Sequence, residues 1–361
     1  MKIGVLGGGQ LGRMLGLAGI PMGIEFRFMD PANGAPAEAV GKLIVAPFSD
    51  AKALDELADW ADVVTYEFEN VPVSATQHIA QSVPVWPPSD ALLASQDRLA
   101  EKKFFRGLGI RTAPFEPVES PEELRSATEK LGFPCVLKTR RMGYDGKGQC
   151  VLRSASDLTS AFDALGGVPL ILEGFIQFSR EVSSIAVRGV DGEMGYWALC
   201  ENVHRDGILR TSISPPRDTL RMEVDSKRHM QSIMQTLGYV GVLTVEWFVT
   251  EDGLVANEMA PRVHNSGHLT IEGAETSQFE NHVRAIAGMP LGSCSPRGWS
   301  AMVNIVGAEP ESKLILTQPN AHLHRYGKSP RKGRKLGHVT LRVDDQSNRD
   351  RLLAELLPLI P

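Results

Sequence analysis

Cysteine is scarce in this chain, with 4 residues among 361, and the four are far apart in the sequence. Their spacing matches neither a zinc site nor a disulfide framework, so we expect reduced cysteines in a cytoplasmic protein. Long apolar runs are also missing, because no segment approaches the roughly 18 apolar residues of a membrane-spanning helix. Basic residues are not in excess, and the net charge of −5 favours neither nucleic acid nor an anionic membrane as a partner.

The overall composition is typical of a globular enzyme. Hydrophobic residues make up 42% and charged residues 22% of the chain. The length suits two or three domains, and Pro87-Pro88 marks a first boundary between them. Residues 89–108, directly after this boundary, have the pattern of a single long helix with many charges.

The first part of the chain alternates short apolar segments with helical ones. Residues 2–6, 25–29, 62–66 and 83–86 have the pattern of strands, and the segments beginning at Gln10 and Asp50 have the pattern of helices. This alternation predicts parallel βαβ units, in which ligands bind at the carboxyl ends of the strands.

A glycine-rich turn follows the first predicted strand. Its spacing, Gly7-x-Gly9-x-x-Gly12, matches the dinucleotide fingerprint, and Asp30 lies where a ribose-binding acid would. A nicotinamide-dependent oxidoreductase is therefore one hypothesis for this chain. By itself the motif indicates only that backbone N–H groups at a helix N-terminus can bind an anion, and one phosphate of a small substrate fits as well.

The most informative stretch is a predicted hairpin with an acidic residue in each arm. Residues 244–248 and 255–259 are rich in β-branched and apolar side chains, and Asp252-Gly253 between them is a strong turn signal. With Asp252 at the tip, Glu246 and Glu258 face each other. Their Cβ atoms would then be roughly 4.5–5.5 Å apart, a distance at which like charges repel.

Two carboxylates at this distance favour a shared hard cation such as Mg²⁺, whose other ligands would be phosphate oxygens. Asn257, next to Glu258, would add another oxygen ligand. In the alternative interpretation the register slips by one residue, so that one of the two carboxylates points to solvent.

A basic, glycine-rich loop lies between two further predicted strands. The loop spans residues 143–149 and contains three glycines, with Lys147 inside it and Lys138 on the preceding strand. Its backbone N–H groups could approach phosphate oxygens while the lysines neutralise their charge, which predicts a phosphate-binding flap. No Gly-Lys-Ser/Thr sequence leads into a helix, so the loop is not a Walker loop. The alternative is an ordinary flexible hairpin tip.

Several other polar residues are candidate ligand contacts, and most of them also have a structural interpretation. The apolar strand at residues 169–176 contains Glu173, which could bind the edge of a purine. Glu67 follows the third predicted strand and belongs either to a ligand site or to a solvated loop. His204 is either an interior histidine or a ligand contact. The basic segment 328–335 is either a solvated charge run or a lid over a phosphate.

Together these motifs resemble the ATP-grasp carboxylate–amine ligases, and within them the N5-carboxyaminoimidazole ribonucleotide synthetase family of purine biosynthesis. The most specific matches are residues 143–149, Glu173-x-Phe175-Ile176 and residues 257–268. The resemblance implies an α/β and α+β fold of ATP-grasp architecture. We expect a Rossmann-like domain at residues 1–88, an ATP-grasp domain at 89–295 with a lid at about 115–178, and a small β-rich domain at 296–361.

The resemblance also implies which residues bind the ligands. Those implied to contact ATP are Arg98, Lys138, Gly143, Tyr144, Asp145, Gly146, Lys147, Gly148, Gln149, Glu173, Gly174, Phe175, Ile176, Glu181, His204, Asn257 and Glu258. Those implied to contact the ribonucleotide are Gln10, Leu11, Glu67, Asn265, Lys328, Arg331, Arg334 and Lys335. Glu246 and Glu258 are the implied Mg²⁺ ligands, in agreement with the hairpin argument.

The reaction implied is the carboxylation of 5-aminoimidazole ribonucleotide by bicarbonate, with ATP converted to ADP and phosphate through carboxyphosphate. Lys138 would cover the phosphates, Arg262 is our candidate for holding bicarbonate, and Asp145 is our candidate for steering the proton of the amine. A homodimer is expected from the family. The chain departs from the family at Met142, where glycine is common, and at Lys147, where arginine is common. The basic segment is about one residue shorter than in some members, which leaves open whether Arg331 or Arg334 meets the substrate phosphate.

Three alternatives remain at this point. A formate-dependent glycinamide ribonucleotide transformylase or a biotin carboxylase would share the architecture. A nicotinamide oxidoreductase would explain the glycine turn but leave the flap and the paired carboxylates unused. A catalytically silent nucleotide-binding module would not need Glu246, Glu258 and Lys138 all intact.

Overall fold

Within the described residues, 1–143 and 146–361 of a computed structural model, the strands form three sheets. The first sheet is parallel and belongs to the N-terminal part of the chain. Its elements are β1 (Lys2–Leu6), α1 (Gln10–Gly19), β2 (Glu25–Asp30), β3 (Lys42–Val45), α2 (Ala51–Trp60), β4 (Val63–Tyr66) and α3 (Val73–Ile79). The strand order β3-β2-β1-β4 confirms the predicted parallel βαβ arrangement.

Two details of this region differ from the sequence prediction. Strand β3 was not predicted, and the predicted strand at residues 83–86 makes only an isolated bridge between Val85 and Val64. This segment follows β4 only briefly before Pro87-Pro88, where the missing backbone N–H groups end further pairing.

The second sheet is small and antiparallel, in the order β5-β8-β6-β7. The elements of this region are α4 (Ser89–Ser95), α5 (Arg98–Gly107), β5 (Phe115–Val118), α6 (Pro121–Leu131), β6 (Cys135–Thr139), β7 (Gln149–Leu152), α7 (Leu158–Ala164) and β8 (Leu170–Gly174). A single long helix was predicted over residues 89–108, and this is wrong. Asp97 interrupts it, because its carboxylate accepts hydrogen bonds from the backbone N–H groups of Leu99 and Ala100 and so begins a new helix.

The third and largest sheet is central. Its first elements are β9 (Arg180–Arg188), β10 (Met194–Tyr196), β11 (Cys200–Arg205), β12 (Ile208–Ser214), α8 (Leu220–Thr236), β13 (Gly241–Thr250), β14 (Gly253–Ala260), α9 (Thr270–Gly273) and α10 (Gln278–Ile286). The last are β15 (Trp299–Val306), α11 (Ser312–Ile315), β16 (Ala321–Arg325), β17 (Lys335–Val343) and α12 (Gln346–Leu356). The strand order β14-β13-β9-β11-β12-β15-β17-β16 makes β14 an edge strand, and the C-terminal strands continue the same sheet. In the described ranges, no helix combines the length and apolar character needed to cross a bilayer.

The hairpin of β13 and β14 pairs Glu246 with Glu258, which confirms the prediction. The predicted tip at Asp252 is wrong, because Thr250 pairs with Gly253 and the turn therefore contains two residues. Counted from this turn, the residue opposite Glu246 would be Asn257.

Asn257 instead forms a β-bulge. Trp247 pairs with Ala256, whereas Glu246 pairs with Glu258, so Asn257 is an extra residue without a partner in β13. The two-residue turn alone would place Asn257 opposite Glu246. The bulge shifts the pairing by one residue, so that Glu258 lies opposite Glu246.

The N-terminal sheet is joined to the central sheet through one apolar core and one buried histidine. The core contains Leu15 of α1 and Val283 of α10, both at most 1% exposed. His282 of α10 accepts a hydrogen bond from the backbone N–H of Val242 at 3.1 Å, and its other ring nitrogen lies 3.0 Å from the hydroxyl of Thr65. Burial lowers the pKa of His282 to about 3, so the ring is neutral.

We predict that His282→Leu lowers the free energy of unfolding by about 1–3 kcal/mol at neutral pH, because the buried N–H of Val242 loses its acceptor. The difference from the wild type should shrink and then change sign as the pH falls from 6.5 towards about 3. In that range the unfolded ring binds a proton and the folded ring does not, which costs the wild type up to about 1.4 kcal/mol per pH unit. Urea unfolding at several pH values measures both effects.

His78→Leu is the matched control, since His78 is half exposed and pairs with Asp55 on the surface. Its effect should stay within about 0.5 kcal/mol. An equal loss in both variants would contradict the assignment of His282 as a link between the sheets.

Candidate active site

The predicted ATP-binding residues come from distant parts of the chain and meet in one region. Arg98, the first residue of α5, lies 3.4 Å from the Glu258 carboxylate on β14 and 3.5 Å from the carbonyl oxygen of Gly143 in the flap. Glu258 faces Glu246 on β13. The structure therefore brings α5, the flap and the acidic hairpin together.

The two opposed carboxylates have unequal surroundings. The Glu246 side chain is 13% exposed and the Glu258 side chain is 47% exposed. Burial, followed by repulsion from Glu258, raises the pKa of Glu246 to about 7. A cation placed between them would remove this penalty on the charged form.

Contacts at the start of α5 fix the position of Arg98. Its backbone N–H donates to the carbonyl oxygen of Arg140, and Asp97 forms an ion pair with the Arg140 guanidinium at 2.9 Å. Asp97 also lies 3.3 Å from Arg141. These contacts tie α5 to the strand that carries Lys138 and leads into the flap.

Lys138 on β6 lies next to the predicted purine-binding strand. Its ammonium group is 3.0 Å from the Glu173 carboxylate on β8, and Lys102 of α5 is 3.4 Å from the same oxygen. Burial raises the pKa of Glu173, but Lys138 and then Lys102 outweigh it and bring the pKa down to about 2. Glu173 is therefore a fixed anion that positions both lysines, while Phe175 beyond it is exposed.

The flap adopts backbone conformations that favour glycine at two positions. Gly146 and Gly148 have φ of 74° and 70°, and a Cβ on Gly146 would lie 2.9 Å from the Cα of Gly207 in the turn after β11. Met142 also has a positive φ, 63°, a conformation that favours glycine. The predicted site residues Tyr144 and Asp145 lie outside the described residues.

A second group of residues lies around Glu246. Glu181 of β9 is 3.2 Å from His204 of β11, and Glu181, together with Glu246, raises the pKa of His204 despite its burial. His264 lies 3.6 Å from Glu246, and burial keeps the pKa of His264 well below its usual value. The charged form is therefore favoured for His204, and the neutral form is favoured for His264.

Arg262, the candidate for holding bicarbonate, forms an ion pair with Glu69 of the N-terminal region. Burial raises the pKa of Glu69, but the guanidinium outweighs it, so the carboxyl pKa lies below its usual range. Arg262 also donates to the carbonyl oxygen of Val263 at 3.0 Å. Its orientation is therefore set by Glu69 of the N-terminal region and by the backbone of the segment after β14.

The glycine turn after β1 does not have the open N–H groups that the sequence predicted. The N–H groups of Gly9 and Gly12 each donate to the Glu67 carboxylate at 2.7 Å, and that of Gly8 donates to Asp30 at 2.8 Å. A Cβ on Gly9 would lie 2.5 Å from Glu67, which explains the glycine. The Glu67 carboxylate therefore occupies the anion position that the motif would offer to a pyrophosphate, and Asp30 is bound to the same turn.

The residues predicted to contact the ribonucleotide connect the first and last parts of the chain. Lys328 donates to the Gln10 side chain at the start of α1. Arg334 donates to the Ser329 hydroxyl at 3.1 Å, whereas Arg331 is exposed. Asn265 is engaged in a reciprocal amide pair with Asn304. The other members of the predicted set are Leu11, which is buried, Glu67 in the glycine turn and Lys335 at the start of β17.

Sequence reasoning missed three residues that hold this site together: Asp97, Glu101 and Lys102. All three are at most 4% exposed despite their charge. Arg98, Glu101 and Lys102 have the i, i+3, i+4 spacing of one helix face, which was the available signal, but a charged stripe is more often solvated.

Three family models match the chain in succession. The ribonucleotide synthetase preATP-grasp domain matches residues 1–96, the ATP-grasp domain matches residues 103–279, and the phosphoribosylaminoimidazole carboxylase C-terminal domain matches residues 300–351. The predicted fold class and architecture are confirmed.

Relatives match over nearly the whole length. The N5-carboxyaminoimidazole ribonucleotide synthase of Pseudomonas aeruginosa is 49% identical over 360 residues, which covers 100% of this chain and 99% of the relative. The Bacillus subtilis protein of the same name is 40% identical over 345 residues, or 94% of this chain and 90% of the relative.

Solved structures agree with this result. The N5-carboxyaminoimidazole ribonucleotide synthetase of Thermus thermophilus is 51% identical, has a TM-score of 0.95, and covers 99% of this chain and 98% of its own. The Aspergillus clavatus N5-carboxyaminoimidazole synthase, in complex with ADP and 5-aminoimidazole ribonucleotide, is 32% identical with a TM-score of 0.92 and covers 99% and 98%. The chain therefore belongs to the N5-carboxyaminoimidazole ribonucleotide synthase family of ATP-grasp proteins.

Proposed function

We propose that the chain carboxylates 5-aminoimidazole ribonucleotide to N5-carboxyaminoimidazole ribonucleotide with ATP and bicarbonate, in de novo purine biosynthesis. The observation that carries this proposal is the opposition of Glu246 and Glu258 beside Arg98 and the flap. The names of the relatives and the ligands of the Aspergillus clavatus complex support the substrate assignment.

The proposed reaction has two steps. An oxygen of bicarbonate attacks the γ-phosphate of ATP, and ADP leaves as carboxyphosphate forms. The ribonucleotide amine then bonds to the carboxyl carbon, directly or after its release as CO₂, while phosphate leaves and the amine loses a proton. In the first step a protein contributes mainly positioning and neutralisation of phosphate charge.

Several cationic groups of the chain suit that task. Lys138 lies 3.0 Å from Glu173, and this fixed partner would direct its ammonium group towards the phosphates. Arg98 approaches both the flap and Glu258. The flap lies against the turn at Gly207, and this contact would help to exclude water, which destroys carboxyphosphate.

Glu246 and Glu258 fit a divalent metal ion, and Asn257 is a candidate for a further oxygen ligand. Burial and repulsion from Glu258 raise the pKa of Glu246, and a cation bound by both carboxylates would offset these two effects. Among the described residues, no group of three or more His, Cys, Asp or Glu side chains could hold a metal alone, so phosphate oxygens would complete the ligand set. Mg²⁺, when bound, would supply positive charge to the phosphate oxygens.

The remaining residues divide between the other two substrates. Arg262 would bind bicarbonate, because a planar guanidinium matches a planar anion, and Glu69 holds it in place. Gln10, Glu67, Asn265 and the basic residues Lys328, Arg331, Arg334 and Lys335 would contact the ribonucleotide. The role of Asp145 in proton transfer, the homodimer and the cytoplasmic location stay predictions.

ADP release separates this proposal from its rivals. It should require bicarbonate and aminoimidazole ribonucleotide together, and formate with glycinamide ribonucleotide should not replace them. No NADH should be consumed in a parallel absorbance assay. ADP release that depends on formate, or on a biotin carrier, would assign the chain to another ATP-grasp activity.

We predict that Glu246→Gln and Glu258→Gln each lower kcat by about 10²- to 10³-fold, as expected for the loss of one electrostatic contact to developing charge. The Mg²⁺ concentration needed for half-maximal ADP release should rise in both variants. Glu251→Gln in the exposed hairpin turn is the matched control and should retain full activity. Normal Mg²⁺ dependence in the Glu246 and Glu258 variants would refute their assignment as metal ligands.

We predict that Arg262→Ala raises the bicarbonate KM by about 10- to 100-fold, since a hydrogen bond to a charged group contributes about 1.5–3 kcal/mol. Arg262→Lys should recover little of this, because an ammonium group lacks the planar fork. Arg297→Ala, which removes a half-exposed arginine paired with Glu275, is the control. A bicarbonate KM that is unchanged in Arg262→Ala would show that this residue has another role.

A further inference from the structure

The β-bulge at Asn257 determines where Glu258 points. Side chains alternate between the two faces of a strand, so a register shift of one residue moves a side chain to the opposite face. The pairs nearest the turn, such as Trp247 with Ala256, are in a register that would place Asn257 opposite Glu246. Only the extra residue brings Glu258 onto the face of Glu246.

Bulges disrupt the ladder of hydrogen bonds and need other partners for their backbone groups. Strand β14 is the edge of the central sheet. On its outer side the N–H of Ala256 donates to the carbonyl oxygen of Arg111 at 2.8 Å, in an isolated bridge directly before the bulge. Helix α5 supplies the partners at the bulge itself.

Two consecutive side chains of α5 bind the backbone on either side of Glu258. The Lys102 ammonium donates to the carbonyl oxygen of Asn257 at 2.7 Å. The Glu101 carboxylate accepts a hydrogen bond from the N–H of Met259 at 2.6 Å. Lys102 is 1% exposed and Glu101 is 2% exposed, so these bonds are shielded from water.

Lys102 also reaches the other side of the site. Its ammonium group is 3.4 Å from the Glu173 carboxylate, which is itself bound to Lys138. One side chain therefore contacts the bulge beside the acidic pair and the strand predicted to bind the purine.

We propose that Glu101 and Lys102 are positioning residues that hold the bulge, so that Glu246 and Glu258 share one face and can bind a cation together. This inference rests on the proposed metal role of the two carboxylates. Glu101 acts through the N–H of Met259, whereas Lys102 acts through Asn257 and through Glu173.

The test is the affinity for ADP with and without Mg²⁺, measured by calorimetry on the full chain. Glu101→Met should reduce the Mg²⁺-dependent gain in ADP affinity by about 10- to 100-fold, the range for residues that orient metal ligands. Its metal-free ADP affinity should match the wild type. Glu101→Gln should restore the gain, because the amide oxygen can accept from the Met259 N–H.

Lys102→Met should lose the Mg²⁺-dependent gain in ADP affinity. It should also weaken ADP binding without Mg²⁺, because Glu173 loses a partner. Lys103→Met is the matched control, since Lys103 is the exposed lysine next to it on α5. It should leave both affinities unchanged.

Thermal unfolding of each variant separates positioning from simple stabilisation. A Glu101→Met protein with a lower Tm and a full Mg²⁺-dependent gain would overturn the inference. If Glu101→Met does not fold, Glu101→Asp provides the test, because it withdraws the carboxylate by one methylene. A folded Glu101→Asp protein with the full gain would overturn the inference as well.

Failure of this inference differs from failure of the metal assignment. Suppose that Glu246→Gln and Glu258→Gln lose the Mg²⁺-dependent gain in ADP affinity and that Glu101→Met keeps it. Then only the positioning role of Glu101 and Lys102 is wrong. If the Glu246 and Glu258 variants keep the gain, the metal assignment itself is wrong.

Discussion

The opposition of Glu246 and Glu258 across two strands is the constraint on which the rest of the site depends. Burial and mutual repulsion both disfavour the charged pair, as the raised pKa of Glu246 indicates. Arg98 beside Glu258 and His204 near Glu246 offset this cost in part. A folded chain keeps such an unfavourable pair only where surrounding interactions enforce it, and sites of this kind are commonly functional.

Helix α5 provides much of that enforcement. Arg98, Glu101 and Lys102 lie on one helix face and reach the flap, the hairpin and Glu173, while Asp97 caps the helix and binds Arg140. A short rigid helix thus fixes the small antiparallel sheet relative to the edge of the central sheet. Lys102 and Asp97 are buried and paired with Glu173 and Arg140, so removing one partner would leave a charge without compensation, which is costly.

The sequence was sufficient for the fold class, for the opposition of the acidic pair and for the position of the glycine-rich loop between two antiparallel strands, because these depend on local patterns and on motifs. The pairing of Glu246 with Glu258 was predicted correctly from a hairpin whose tip was misplaced, and the bulge at Asn257 compensated for the error. A bulge depends on what packs against the strand, which local propensity does not contain. Glu101 and Lys102 were missed for the same reason, and the domain boundaries at residues 88 and 295 stay predictions.

The glycine turn illustrates what a motif can and cannot decide. Its glycines are needed because a carboxylate approaches the backbone, as the contact between Gly9 and Glu67 demonstrates. The same spacing would serve a pyrophosphate, so the pattern reports close approach of an anion and not the identity of that anion. In this chain the anion is the side chain of Glu67, 58 residues further along the chain than Gly9. The N-terminus of α1 is thereby neutralised within the protein, and Gln10 at this end of the helix contacts Lys328 of the basic segment after β16.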